Sequence, residues 1–109
     1  MNDYFLSPEK PSPPEKLGVT EVTKDSVALA WSKSEHDGGS RITGYHVETL
    51  EKGQEKWVKC VVTKAACFVV SGLRENVEYF FRVRAKNHAG LSEAKDMLLP
   101  VLVKDQHGE

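Results

Sequence analysis

The sequence predicts an all-β fold, a sandwich of two sheets built from seven strands, and three observations carry that reading. Apolar residues recur with a period of two along most of the chain, as they do in strands that bury one face. Clusters of turn-forming residues interrupt the alternation at short, regular intervals. No segment repeats apolar residues at i, i+3, i+4 and i+7 for long enough to nucleate a helix.

Pro8, Pro11, Pro13 and Pro14 crowd the start of the chain. Proline fixes φ and has no N–H for a ladder, so residues 7–14 are predicted to be extended and stiff. Residues 1–14 are read as a linker or arm, with Tyr4, Phe5 and Leu6 its apolar members. Residues 15–104 are read as the folded module and 105–109 as a C-terminal linker. The first strand, 15–23, alternates at Leu17 and Val19 and stops at Lys24-Asp25. The second, 26–32, sets Val27, Leu29 and Trp31 on one face and Ala28 and Ala30 on the other. A long loop through Asp37, Gly38, Gly39 and Ser40 leads to the third strand, 42–50, with Tyr45, Val47 and Thr49 opposed to His46 and Glu48.

The segment 51–54 then closes a hairpin. In the fourth strand, 55–62, Val58, Cys60 and Val62 are predicted to face inward, which turns Trp57 and Lys59 outward. The fifth, 66–71, directs Phe68 and Val70 inward and Cys67 and Val69 outward. The sixth, 77–86, sets Tyr79, Phe81, Val83 and Ala85 against Phe80, Arg82, Arg84 and Lys86. A turn at 86–90 precedes the seventh strand, 94–103. Seven short strands with regular turns point to an immunoglobulin-like β-sandwich.

Composition narrows the function. The chain has 109 residues, 39% of them hydrophobic, which suffices for one core without metal or disulfide support. Lys and Arg number 15 against 16 for Asp and Glu, and the net charge of −1 argues against a nucleic-acid partner or an electrostatically held membrane surface. No apolar run approaches the roughly 18–20 residues that span a bilayer. Cys60 and Cys67 are too few for a secreted disulfide scaffold or a zinc site, and Asn2, Asn76 and Asn87 lie in no glycosylation sequon. These features point toward a reducing, intracellular setting.

Chemistry-bearing motifs are lacking. There is no Gly-x-Ser-x-Gly elbow, phosphate-cradling glycine loop, HExxH or CxxC. His36 between Glu35 and Asp37 sits in a polar loop with nothing to desolvate it, and no two histidines share a face at ligand spacing. The chain is read as non-enzymatic, with no catalytic, cofactor-binding or metal-binding residues and no cofactor.

A true immunoglobulin domain joins its second and sixth strands by a disulfide and carries a tryptophan on the third. Here those two strands contain no cysteine, Trp31 lies on the second, and Phe81 stands two residues after Tyr79. The run through Pro14, Leu17, Val19, Leu29 and Trp31, then Asp37-Gly38-Gly39-Ser40 to Gly44-Tyr45, resembles instead the fibronectin type III family. The likeness continues through Trp57, Ser71-Gly72-Leu73, Tyr79, Phe81-Arg82-Val83, Ala85, Asn87 and Ala89-Gly90-Leu91-Ser92. It covers essentially all of 13–104, departing near Ala94, where the family usually has a proline. The 37–45 stretch, Lys56-Trp57-Val58 and the ending 100–105 are similar to modules of the titin-like giant sarcomeric proteins.

That likeness implies a structural module of a tandem array in the muscle sarcomere, in the cytoplasm, a spacer and protein-binding unit under tension. Its implied partners are neighbouring immunoglobulin-like or fibronectin type III domains of the same chain, and myosin or other thick-filament proteins. Two other classes stay open: a protein-binding module of a cell-surface receptor or adhesion protein, and an accessory module beside a catalytic domain. The spacing of Leu73 and Tyr79 fits a tyrosine corner, in which the hydroxyl bonds backbone upstream, while Trp31 takes the centre of the core. On the outer face of the third and sixth strands, His46 and Glu48 should oppose Arg82 and Arg84. Trp57, Arg82, Arg84 and Glu48 thus form a candidate protein-binding face, with Trp57 either an exposed anchor or a ring covered by Arg stems. A small apolar strip of Ala28, Ala30, Cys67 and Val69 marks the other sheet.

Overall fold

Nine antiparallel strands form two sheets in the computed structural model, which describes residues 9–105. In chain order they are β1 (Glu15–Val22), β2 (Val27–Ser32), β3 (Gly44–Glu51), β4 (Val58–Thr63), β5 (Cys67–Val70), β6 (Glu78–Asn87), β7 (Gly90–Leu91), β8 (Lys95–Asp96) and β9 (Val101–Leu102). The small sheet runs β1-β2-β5 and the large one β4-β3-β6, with β7, β8 and β9 all paired to the far side of β6. The expectations for Tyr4, Phe5, Leu6 and Pro8 lie outside the described residues.

Alternation builds the core. Val27, Leu29 and Trp31 of β2 face Tyr45 and Val47 of β3 and Tyr79, Phe81, Val83 and Ala85 of β6, all of them buried. Each such large side chain contributes about 1.5–3 kcal/mol by leaving water. Trp31 meets Tyr45 edge to face, with ring centroids 5.7 Å apart and planes at 62°, the arrangement that aromatic quadrupoles favour. The two cysteines are free thiols, so the inter-sheet space is held by rings and branched chains.

Two strands depart from the predicted pattern. In β4 the pairing moves from Val47↔Val61 to Glu48↔Lys59, which leaves Cys60 as the extra residue of a bulge. The bulge reverses the alternation, so Val61 packs on the core while Val62 stands opposite His46 and is 46% exposed. Of the predicted inward row, Cys60 packs against the core, whereas Val58 and Val62 are corrected to exposed positions. The predicted strand 94–103 is also broken. β8 pairs with Arg82 and Val83 and β9 with Glu78 and Tyr79, so residues 97–100 stand opposite only Phe80 and Phe81. The surplus carries Leu98 and Leu99 into solvent, and it ends at Pro100, which has no N–H to give the ladder.

β6 sets where the ends of the module lie. Its ten residues rise about 30 Å. At its last residue the Asn87 amide reaches Glu9, and at its first residues it pairs with β9, beyond which Val103 N–H donates to Val77 O. Glu9 and Val103 therefore occupy opposite poles. Residues of the predicted arm are docked at the first pole: Pro11 and Pro14 are buried, Glu9 N–H donates to Gly38 O, and Ser12 N–H donates to His36 O.

Candidate functional site

The outer face of the large sheet brings the four candidate binding residues together. Strand register puts His46 opposite Arg84 and Glu48 opposite Arg82, as the alternation predicts. Arg82 Nε donates to Glu48 Oε1, and Arg84 Nε stands 3.7 Å from Glu48 Oε2. One carboxylate thus bridges two guanidinium groups. Arg84 Nη1 also donates to the Ser92 carbonyl at 3.1 Å, which ties the ladder to the segment after β7.

Trp57 lies just ahead of β4, with Arg82 Cζ 4.1 Å from its ring centroid. The guanidinium that caps the indole is the one that pairs with Glu48, and the ring is half-buried beneath it. The face is therefore a continuous row of indole, guanidinium, carboxylate and guanidinium, in which one negative charge lies between two positive ones. Cation–π stacking and charge-assisted hydrogen bonds hold the four side chains in this row.

His46 belongs to the same row but is only 8% exposed, and its Nε2 has no hydrogen-bond partner. Burial lowers its pKa below the usual histidine value, and the positive charges of Lys59 and Lys86 push the same way, against the opposing pull of Glu48. A neutral imidazole is what this location favours. Burial likewise pushes the Cys60 thiol up, away from the reactive thiolate.

Tyr79 and Leu73 take structural positions. The Tyr79 hydroxyl accepts a hydrogen bond from the Arg74 N–H at 3.0 Å, while its ring packs in the core beside Phe81. Leu73 packs on the core's margin, and its N–H donates to Asp25 O. Trp31, 5% exposed, sits where the two sheets meet, with its indole N–H unpartnered.

Two buried polar residues went unread in the sequence. Asn87, 1% exposed, donates from Nδ2 to the carbonyls of Glu9 and Asp37, and its Oδ1 accepts from the N–H groups of Ala89 and Gly90. Ser92 exchanges bonds with the Ala85 backbone and donates its hydroxyl proton to Glu93 O. The local half of the Asn87 pattern was available, since an Asn whose side chain bonds backbone two residues on is a turn signature. Its grip on Glu9, 78 positions away, had no local signal.

Little else has the makings of reactive chemistry. A concavity of about 900 Å³ opens beside Glu9 and the 35–41 loop and is lined by both acidic and basic side chains. Among the described residues no group of three His, Cys, Asp or Glu side chains is placed to hold a metal ion.

Comparison with known proteins points one way. The model of the fibronectin type III domain family matches residues 12–98. Titin of Drosophila melanogaster is 41% identical over 83 residues, 74% of this chain, and cardiac-type myosin-binding protein C of Gallus gallus is 38% identical over 87 residues, 78% of it. The matched stretch rounds to 0% of the first relative's length and is 7% of the second's, so the chain corresponds to one small part of each. A crystal structure of titin domains A168–A170 superposes with a TM-score of 0.84 at 34% identity, covering 90% of this chain and 34% of that one.

Proposed function

The chain belongs to the fibronectin type III family, and from that membership we propose that it is a spacer and scaffold module of a tandem array in a giant sarcomeric protein. In this reading it works under tension, with immunoglobulin-like or fibronectin type III domains as its neighbours. It also binds protein through Trp57, Arg82, Arg84 and Glu48, with myosin or another thick-filament protein as the partner class. The observation that carries the reading is the placement of Glu9 and Val103 at opposite ends of β6. Ends so placed allow modules to follow one another in line, and force applied between them loads the β1–β2 and β6–β9 ladders in shear. The muscle relatives, myosin-binding protein C and titin among them, support the sarcomeric setting and the partner class.

The experiment has a mechanical arm and a binding arm. Stretched between reference domains, the module is expected to give one discrete unfolding event, and smooth extension would remove the mechanical part of the proposal. In cosedimentation with myosin filaments, Trp57→Ala and Arg84→Ala are expected to lower the bound fraction. Binding that both variants leave intact would remove the outer face from the account.

A further inference from the structure

A second interaction surface lies on the other side of the molecule, along the free edge of β5. The two sheets present four edges, and three are irregular. β1 carries two register shifts and the charged residues Glu15, Lys16 and Glu21. β4 carries the bulge at Cys60 and a lysine at 59. The far edge of the large sheet is broken into three strands of two residues each. β5 alone pairs without a shift, from Ala30↔Cys67 to Val27↔Val70, and its sequence Cys-Phe-Val-Val contains no charge and no proline. Such edges are the ones that accept another strand.

The backbone alternation gives that edge its donors and acceptors. Trp31 N–H donates to Ala66 O, and the two-residue repeat of an antiparallel ladder carries the bonded pairs on to Phe68 and Val70. Cys67 and Val69 then turn their N–H and C=O groups away from β2, toward the open side. Beside them, between β5 and β4, lies a crevice of about 310 Å³ whose lining is mostly apolar, with Val58, Cys60, Phe68 and Leu73 beside the hydroxyl residues Thr49 and Ser71. Val58 stands on its rim, 59% exposed.

Charge specifies the occupant. Lys64 is exposed in the turn between β4 and β5, three residues ahead of Cys67. Arg74, beyond the other end of the strand, is paired with Glu51, whereas Lys64 forms no ion pair among the described residues. We propose that the β5 edge receives an extended segment of another protein that adds a fourth strand to the small sheet, sends apolar side chains into the crevice and carries a flanking carboxylate to Lys64. This surface is distinct from the Trp57 face, and the inference does not depend on the sarcomeric reading.

Two synthetic peptides test it, sharing an alternating Val-Thr core and flanked either by glutamates or by lysines. Titrated into the isotope-labelled chain, the acidic-flanked peptide is expected to give saturable shifts at the Cys67 and Val69 amides and to slow their hydrogen exchange. The lysine-flanked peptide is expected to bind about tenfold more weakly. Val69→Pro removes an edge donor without touching the ladder to β2 and is expected to abolish binding. Lys64→Glu, in an exposed turn, is expected to narrow the gap between the two peptides while the fold is kept. Equal affinity for both peptides, shifts confined to the large sheet, or no saturation would overturn the proposal. Self-association of the chain through the same amides in the absence of peptide would overturn it too, because the occupant would then be a second copy.

Discussion

The two poles of the sandwich are fastened by opposite means. Where Glu9 enters, the closure is polar: one buried amide, Asn87, satisfies two carbonyls and two N–H groups drawn from three separate segments. Gly38 belongs to the same closure, with φ at +72° and so little room that a Cβ there would come within 2.0 Å of Glu9 O. Where Val103 leaves, the buried closure rests on packing and backbone pairing: the Tyr79 ring and Val103 are buried, Val103 bonds the backbone of Asn76 and Val77, and the Tyr79 hydroxyl accepts the Arg74 N–H. The contrast teaches that a pole held by one side chain concentrates its stability there, whereas a pole held by packed area spreads it over many contacts.

Removing the central side chain at each pole sharpens that contrast. Asn87→Ala is expected to have the largest effect, a loss of about 3 kcal/mol in equilibrium denaturation, because it orphans buried backbone groups in three segments at once. A loss below about 1 kcal/mol would mean that water replaces the amide and the pole is less tightly closed than its bonds suggest. Tyr79→Phe keeps the ring and deletes only the acceptor of the Arg74 N–H, so a smaller loss of about 1–2 kcal/mol is expected. An unchanged midpoint would leave the hydroxyl without a structural role.

The smallest effect belongs to neither pole. His46 has a folded pKa below its ordinary value of 6.5, so below that pH the unfolded chain binds more protons than the folded one. Stability should accordingly fall as the solution is acidified through 6.5 and level off once the folded pKa is passed. His46→Gln is expected to flatten this part of the profile, and it should do so equally in the Asn87→Ala and Tyr79→Phe backgrounds if the three sites act independently. A profile that keeps its slope in His46→Gln would place the titrating group elsewhere.

What the sequence made legible follows from the range of each interaction. β2, β3 and β6 were readable because alternation is a property of a single strand, and the Glu48, Arg82 and Arg84 ladder followed once two such strands were set side by side. The bulge at Cys60 was hidden because it exists only relative to a partner, and Val61 and Val62 are indistinguishable as residue types. The Leu98-Leu99 excursion was hidden for the same reason, since an apolar pair inside an apolar run reads as buried until the register of β6 is known. For Trp57 the sequence left two readings, an exposed anchor or a ring covered by Arg stems, and the coordinates give the cover, by Arg82. Asn87 stood in plain view as a turn residue, and its reach to Glu9 was what no local pattern encoded.

Because β6 alone runs from the grip on Glu9 to the pairing with β9, it acts as a ruler for the whole unit. Inserting residues into the turns at 52–57 or 64–66 would leave the distance between entry and exit untouched, since neither turn lies on that line. Adding or deleting a pair of residues within β6 would instead alter it by about 7 Å. Sequence change is therefore cheap on the flanks and expensive along one strand, and the spacing this unit can impose on whatever adjoins it is written in ten consecutive residues.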